Sequence, residues 1–166
     1  MSEAASQRVP GPDAPADSPR VVAVISHPIR EDAFDAAGEF IAGIAEQGVS
    51  SVVLADQRDA LQQKVPGVPL TTIDPSEVNP RESRIEVVVV FGGDGTILWA
   101  MTYIQHLQIP ILGINAGRLG FLATISQEEI TDMFAKIRAG RFHTDERSVL
   151  QITHTDGRPI APLNFA

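Results

Sequence analysis

The run IEVVVVFGGDGT at residues 85–96 decides the fold. Val87 to Phe91 form an unbroken apolar stretch between charged residues and a glycine pair, the pattern of a strand buried on both faces of a parallel sheet. Gly92, Gly93 and Gly95 then supply a turn poor in Cβ atoms, which lets a bulky anion approach the backbone. Beyond them Ile97, Leu98, Met101, Ile104 and Leu107 recur at the spacing of an amphipathic helix. Strand, glycine loop and helix start together aim free N–H groups and the positive end of a helix dipole at one point beyond the carboxyl edge of the sheet, where a phosphate is stabilised. Asp94 stands at that point, with two readings. It caps the helix, as Asp and Thr do well, or it is a functional carboxylate that meets a substrate hydroxyl or a phosphate-bound metal.

Working outward, the sequence predicts a doubly covered α/β sheet. VVAVIS at residues 21–26 is a first strand, ended by His27 and Pro28. Phe34, Ala37, Phe40, Ile41 and Ile44 mark a helix over residues 31–47, with Gly48 at its C-terminal cap. SVVLA at 51–55 is a second strand, joined to the first by a right-handed crossover. Prolines at 66, 69, 75 and 80 break every periodicity between residues 56 and 84, apart from a helical turn or two at 59–64. After the central unit, PILGIN at 110–115 is another parallel strand, opening into the glycine-bearing loop AGRLG at 116–120. Neighbouring parallel strands would bring that loop to the same edge as Asp94. Ser126 and Glu129 form a capping box for a last helix, with Ile130, Met133, Phe134 and Ile137 at helical spacing before Gly140.

The two ends differ in character from this middle. Residues 1–20 carry four prolines among Ser, Ala and Asp and are expected to be a disordered tail. Residues 148–155 alternate apolar and polar side chains before Asp156-Gly157, the start of an antiparallel β region. The expected domains are therefore the tail at 1–20, an α/β nucleotide-binding domain at 21–142, and the start of a truncated β domain at 143–166.

Composition excludes several classes of function. In 166 residues with 43% hydrophobic content there is room for one sizeable core. A formal charge of −8 without basic clusters argues against a nucleic-acid partner. The chain has no cysteine, so disulfides and thiolate metal sites are excluded, which fits a cytoplasmic protein. Its four histidines lack ligand spacing, and no apolar run approaches the roughly 18 residues of a membrane span. No P-loop and no GxGxxG dinucleotide fingerprint is present.

FGGDGTIL at 91–98, GINAGRLGFL at 113–122 and ERSVLQI at 146–152, in that order and spacing, resemble the NAD kinase (ATP-NAD kinase) family, in its N-terminal domain. GGDGT alone also occurs in diacylglycerol and sphingosine kinases, which follow it with a different second motif. The resemblance implies a parallel-sheet, Rossmann-like α/β domain of the NAD kinase/diacylglycerol kinase type, followed by the first hairpin of a truncated β domain. It implies transfer of a phosphoryl group from ATP, or from polyphosphate, to the 2′-hydroxyl of the adenosine ribose of NAD, giving NADP. Mg²⁺ or another divalent cation would be the cofactor. NAD and ATP would be the partners, without nucleic acid or membrane, in a homo-oligomer for the full-length protein.

Carried over by position, Asp94 resembles the catalytic base. Gly92, Gly93, Gly95, Thr96, Leu98, Asn115, Gly117, Gly120, Phe121 and Leu122 resemble nucleotide-binding residues, with no metal ligand among them. Leu98 and Phe121 have core packing as their alternative, Gly117 and Gly120 turn geometry, and Arg118 either adds charge to the crevice or is an ordinary loop arginine. The family's Asn-Glu or Asn-Asp signature lies beyond LNFA at 163–166, so the chain reads as an N-terminal fragment, inactive by itself. Competing functions are another GGDGT-type lipid or sugar-phosphate kinase, and an inactive nucleotide-binding module. On the catalytic reading, Asp94→Asn in the complete enzyme lowers kcat by on the order of 10²–10⁴ with the melting temperature almost unmoved.

Overall fold

The computed structural model describes residues 20–79, 84–116, 120–126, 129–139, 143–148 and 156. They form a six-stranded, wholly parallel sheet. In chain order its elements are β1 (Val21–Ser26), α1 (Glu31–Glu46), β2 (Ser50–Leu54), α2 (Arg58–Lys64), β3 (Thr71–Ile73), β4 (Ile85–Phe91), α3 (Asp94–Ile104), a 3₁₀ turn (Gln105–Leu107), β5 (Ile111–Asn115), β6 (Ile125–Ser126) and α4 (Ile130–Arg138). The strand order is β3-β2-β1-β4-β5-β6. The chain builds outward from β1 in one direction and then returns to build outward in the other. The reversal lies between β1 and β4, the place in such sheets where ligands bind beyond the carboxyl ends.

Alternation along β4 explains why its sequence is apolar throughout. Val87, Val89 and Phe91 enter the core beneath α1 and α4, whereas Val88 and Val90 enter the core beneath α3. Each face therefore needs its own apolar set. On the first face, Ala33, Ala36 and Ala37 let α1 lie close to the sheet, and Phe40 packs on Phe91 with ring centroids 5.4 Å apart. Ile130, Met133 and Ile137 of α4 complete that core. On the second face, Ile97, Ala100, Ile104 and Leu107 meet the sheet. Truncating the fully buried Phe91 to Ala would cost about 3–5 kcal/mol.

Four expected strands and four expected helices are present within a residue or two, except that α3 starts at Asp94 rather than at Ile97 and α4 starts at Ile130, four residues after Ser126. β3 and β6 are additions. Both are short edge strands of two or three residues, too brief to leave a periodic signal. Gly48 takes φ +76° just past α1, as its capping position requires. Glu129 accepts from both the backbone N–H and the hydroxyl of Ser126, each at 2.9 Å, the reaching-back half of the expected capping box. The tail at 1–19, and all of the expected terminal hairpin except Ser148 and Asp156, lie outside the described residues. No helix among the described residues is long and apolar enough to cross a membrane.

Candidate functional site

The turn from β4 into α3 is made by two residues. Phe91 ends the strand, and its carbonyl still accepts from His27 N–H at 2.9 Å, while Gly92 N–H donates to Ile114 O at 2.9 Å. Both neighbouring strands thus hold the end of β4. Gly92 has φ +153°, and a side chain there would collide with the Thr96 hydroxyl, so the position requires glycine. Thr96 itself is buried. Gly93 is the residue before the helix and provides no side-chain cap, and Asp94 is the first helical residue. The capping reading of Asp94 therefore does not describe its side chain.

The Asp94 carboxylate turns instead to the loop after β5. Its Oδ2 accepts from Phe121 N–H at 2.8 Å, and its Oδ1 accepts from Leu122 N–H at 2.9 Å and from Ala123 N–H at 3.0 Å. Three successive amides converge on one anion, as they do in the backbone nests that bind phosphate. Gly120 leads into this turn, where a Cβ would collide with the Asp94 carboxylate, and its N–H donates to Ala123 O at 3.2 Å. The amides of Ala123, Leu122 and Phe121, in decreasing order of effect, hold the Asp94 carboxyl below the usual carboxylate range. The two glycine motifs, 28 residues apart at Asp94 and Leu122, are joined through this one side chain.

The other expected site residues fall around this bond. Among the described residues, apart from chain neighbours and the helix's own backbone, no atom lies within 4 Å of where a Cβ would stand on Gly93 or Gly95, so the glycine loop is open there. Leu98 is 44% exposed and lies one helical turn after Asp94, on the same face of α3. Phe121 is 93% exposed. Neither is a core residue, and the packing alternative fails for both. Leu122 is partly buried against the core beneath α3, and Asn115 is buried at the end of β5. Gly117 and Arg118 lie outside the described residues.

Two further side chains at this edge carried no sequence signal. Gln57, 2% exposed at the start of α2, donates from Nε2 to Ser26 O at 2.6 Å and accepts from Ser26 N–H at 2.9 Å. It serves the end of β1 as a neighbouring strand would. Arg30, after β1, donates from Nε to Asp32 Oδ1 at 3.0 Å, pairs through Nη2 with Asp32 Oδ2, and donates from Nη2 to Ala116 O at 2.5 Å. Such long-range polar contacts have no periodicity to betray them.

A family model described as the ATP-NAD kinase N-terminal domain matches residues 22–142. The NAD kinase of Cutibacterium acnes is 37% identical over 137 residues, covering 82% of this chain and 42% of that protein. The NAD kinase of Rhodococcus erythropolis is 30% identical over 142 residues, covering 80% of this chain and 44% of that protein. Among solved structures, yeast NADH kinase complexed with NADH shares the fold with a TM-score of 0.58 at 24% identity, over 76% of this chain and 40% of that one. The chain spans less than half the length of these relatives. It belongs to the ATP-NAD kinase family, over the region of that family's N-terminal domain.

Proposed function

We propose that this chain supplies the phosphate-side half of an NAD kinase, which moves a phosphoryl group from ATP or polyphosphate to the 2′-hydroxyl of the adenosine ribose of NAD. The observation that supports this most is the junction of the two motifs at Asp94. It sets one carboxylate beside open glycine backbone and beside an exposed aromatic ring. Nucleotide recognition calls for this combination: a polar anchor for the ribose, an apolar surface for the base, and bare amides for phosphates.

The hydrogen bonds of Asp94 limit its chemical role. A carboxylate offers about four acceptor positions, and three are taken by amides. The one that remains lies on Oδ2, which accepts only one amide, so a ribose hydroxyl would donate there. With its pKa depressed, Asp94 does not remove that proton in the ground state. It orients the hydroxyl and accepts the proton late, once phosphoryl transfer has made the oxygen acidic. The backbone at Gly93 and Gly95 is where developing charge on the phosphoryl oxygens would be stabilised. Among the described residues, no group of three or more acidic, histidine or cysteine side chains is arranged to hold a metal ion. A divalent cation, which the family reading calls for, would be carried by the donor phosphates. Gly92 and Gly120 shape the site, while Thr96 and Asn115 support it from within.

The test is NADP formation by the complete protein with NAD or NADH as acceptor and ATP or polyphosphate as donor. Turnover of a lipid or sugar phosphate in place of NAD would refute the assignment.

A further inference from the structure

Strand order puts Arg30 in an unusual position. It follows β1, yet its guanidinium donates to Ala116 O, which follows β5, and β4 lies between those two strands. The side chain therefore reaches across the carboxyl end of β4, over the edge from which the glycine loop emerges. Its fork is only partly used: Nε and Nη2 hold Asp32 and Ala116 O, whereas Nη1 donates to no described residue. The side chain is 41% exposed. At that edge, a Cβ on Gly93 or Gly95 would meet no described residue beyond their own chain neighbours and helix backbone. Arg58, the other described arginine following a strand at this edge, stands after β2, on the far side of β1. The chain carries a formal charge of −8, so an incoming polyanion is repelled unless a local cation offsets that field.

We infer that Arg30 is a polyphosphate-binding residue: its free Nη1 face holds the phosphates of the donor over the glycine loop, and Asp32 and Ala116 O fix the direction of the fork. This inference rests on the kinase reading for its biological meaning but not for its measurement. A planar fork held on one side by a carboxylate is already ordered, so little side-chain freedom is lost when the other side takes a phosphate. Asp32 competes as well as orients, because it neutralises part of the charge the phosphate needs.

The experiment is calorimetric binding to the full chain, with three separate probes: inorganic tripolyphosphate, a non-hydrolysable ATP analogue and NAD. Arg30→Gln is expected to weaken tripolyphosphate and the ATP analogue alike, by on the order of tenfold or more, with NAD affinity unchanged. Arg30→Lys should restore part of the loss, since it returns the charge without the fork. Asp32→Asn should tighten tripolyphosphate. Unchanged tripolyphosphate affinity in Arg30→Gln would overturn the inference, leaving Arg30 as a tie between two loops. So would equal weakening of all three probes together with a lowered melt, or weakening of the ATP analogue alone. Absence of NADP formation by the wild type would refute the kinase reading, while Arg30-dependent tripolyphosphate binding would still stand or fall by itself.

Discussion

The ends of β1 and β4 lie side by side, and each passes through a short turn into a helix. Neither helix has a side-chain cap. There the likeness stops. The β1 turn is furnished with side chains: Gln57 takes both backbone groups of Ser26, His27 Nδ1 accepts from Ile29 N–H at 3.2 Å, and Arg30 leans away toward β5. The β4 turn is bare, and the one side chain it bears at the helix start, Asp94, is spent on a different loop. One turn is held by side chains, and the other is made of glycine backbone. On the proposed reading the contrast separates a structural turn from a binding turn in the same architecture, and substitutions on the two sides should therefore fail in different ways.

The largest effect is expected at Asp94. Asn keeps the shape but has a single acceptor oxygen and presents an NH₂ group to amides, so the loop at 121–123 loosens. NADP formation by the complete enzyme should fall by on the order of 10²–10⁴. The melting temperature should fall as well, by the equivalent of about 1–2 kcal/mol. That revises the expectation from sequence, which had the melt almost unmoved, because the three amide bonds were invisible there. Normal turnover in Asp94→Asn would mean the acceptor of the ribose proton lies elsewhere.

On the furnished side, Gln57→Leu leaves a buried N–H and C=O of Ser26 unpaired and should lower stability by about 2–4 kcal/mol in urea unfolding. Turnover per folded molecule should stay within a few-fold of wild type. Lost activity with an unchanged unfolding midpoint would break the contrast. On the bare side, Gly93→Ala is the mirror experiment. Its φ of −91° suits any residue and its Cβ would meet nothing, so stability should hold within about 0.5 kcal/mol. KM for the donor should nevertheless rise by roughly tenfold as a methyl group enters the anion's approach. An unchanged donor KM would show that the open space is not used.

The smallest effect is one of pH. The folded-state pKa of Asp94 is depressed, so its contribution to stability is complete above the unfolded value near 3.9 and disappears as pH falls through the folded value. The stability gap between wild type and Asp94→Asn should therefore be full at pH 7 and shrink below about pH 4. Thermal melts of both proteins across that range check it, and a gap that stays constant would mean the carboxylate's charge is not what holds the loop.

What could be read from sequence follows the same division. β4 was legible because burial on both faces demands an apolar run, and α1 and α4 because one-sided burial demands a period near 3.6. The glycines of both motifs were legible as bare backbone. The partner of Asp94 was not, since three main-chain N–H groups have no residue identity and any sequence without proline at 121–123 would supply them. Gln57 and Arg30 were missed for a related reason: a glutamine at a helix start and an arginine in a loop look like solvated residues until the strand order sets their neighbours. The exposure of Phe121 and Leu98 also had to be seen, because an apolar residue on paper is as suited to a core as to a ligand.

The outward-and-return strand order sets the timetable of folding. Every pairing in the sheet is parallel, so none can form as a local hairpin. The central pairing joins Val21 to Ile85, 64 residues later. While a ribosome has exposed only the first half of the chain, β1 has β2 on one side and nothing on the other, and its open edge is apolar on both faces. Such an edge recruits other strands. Emergence of Phe91 closes it, and Asp94 follows three residues later, so the segment that completes the sheet and the glycine loop emerge together. A pause in translation before residue 85 has emerged is thus the vulnerable moment, and slowing synthesis there should increase aggregation of nascent chains more than a pause after residue 95 has emerged.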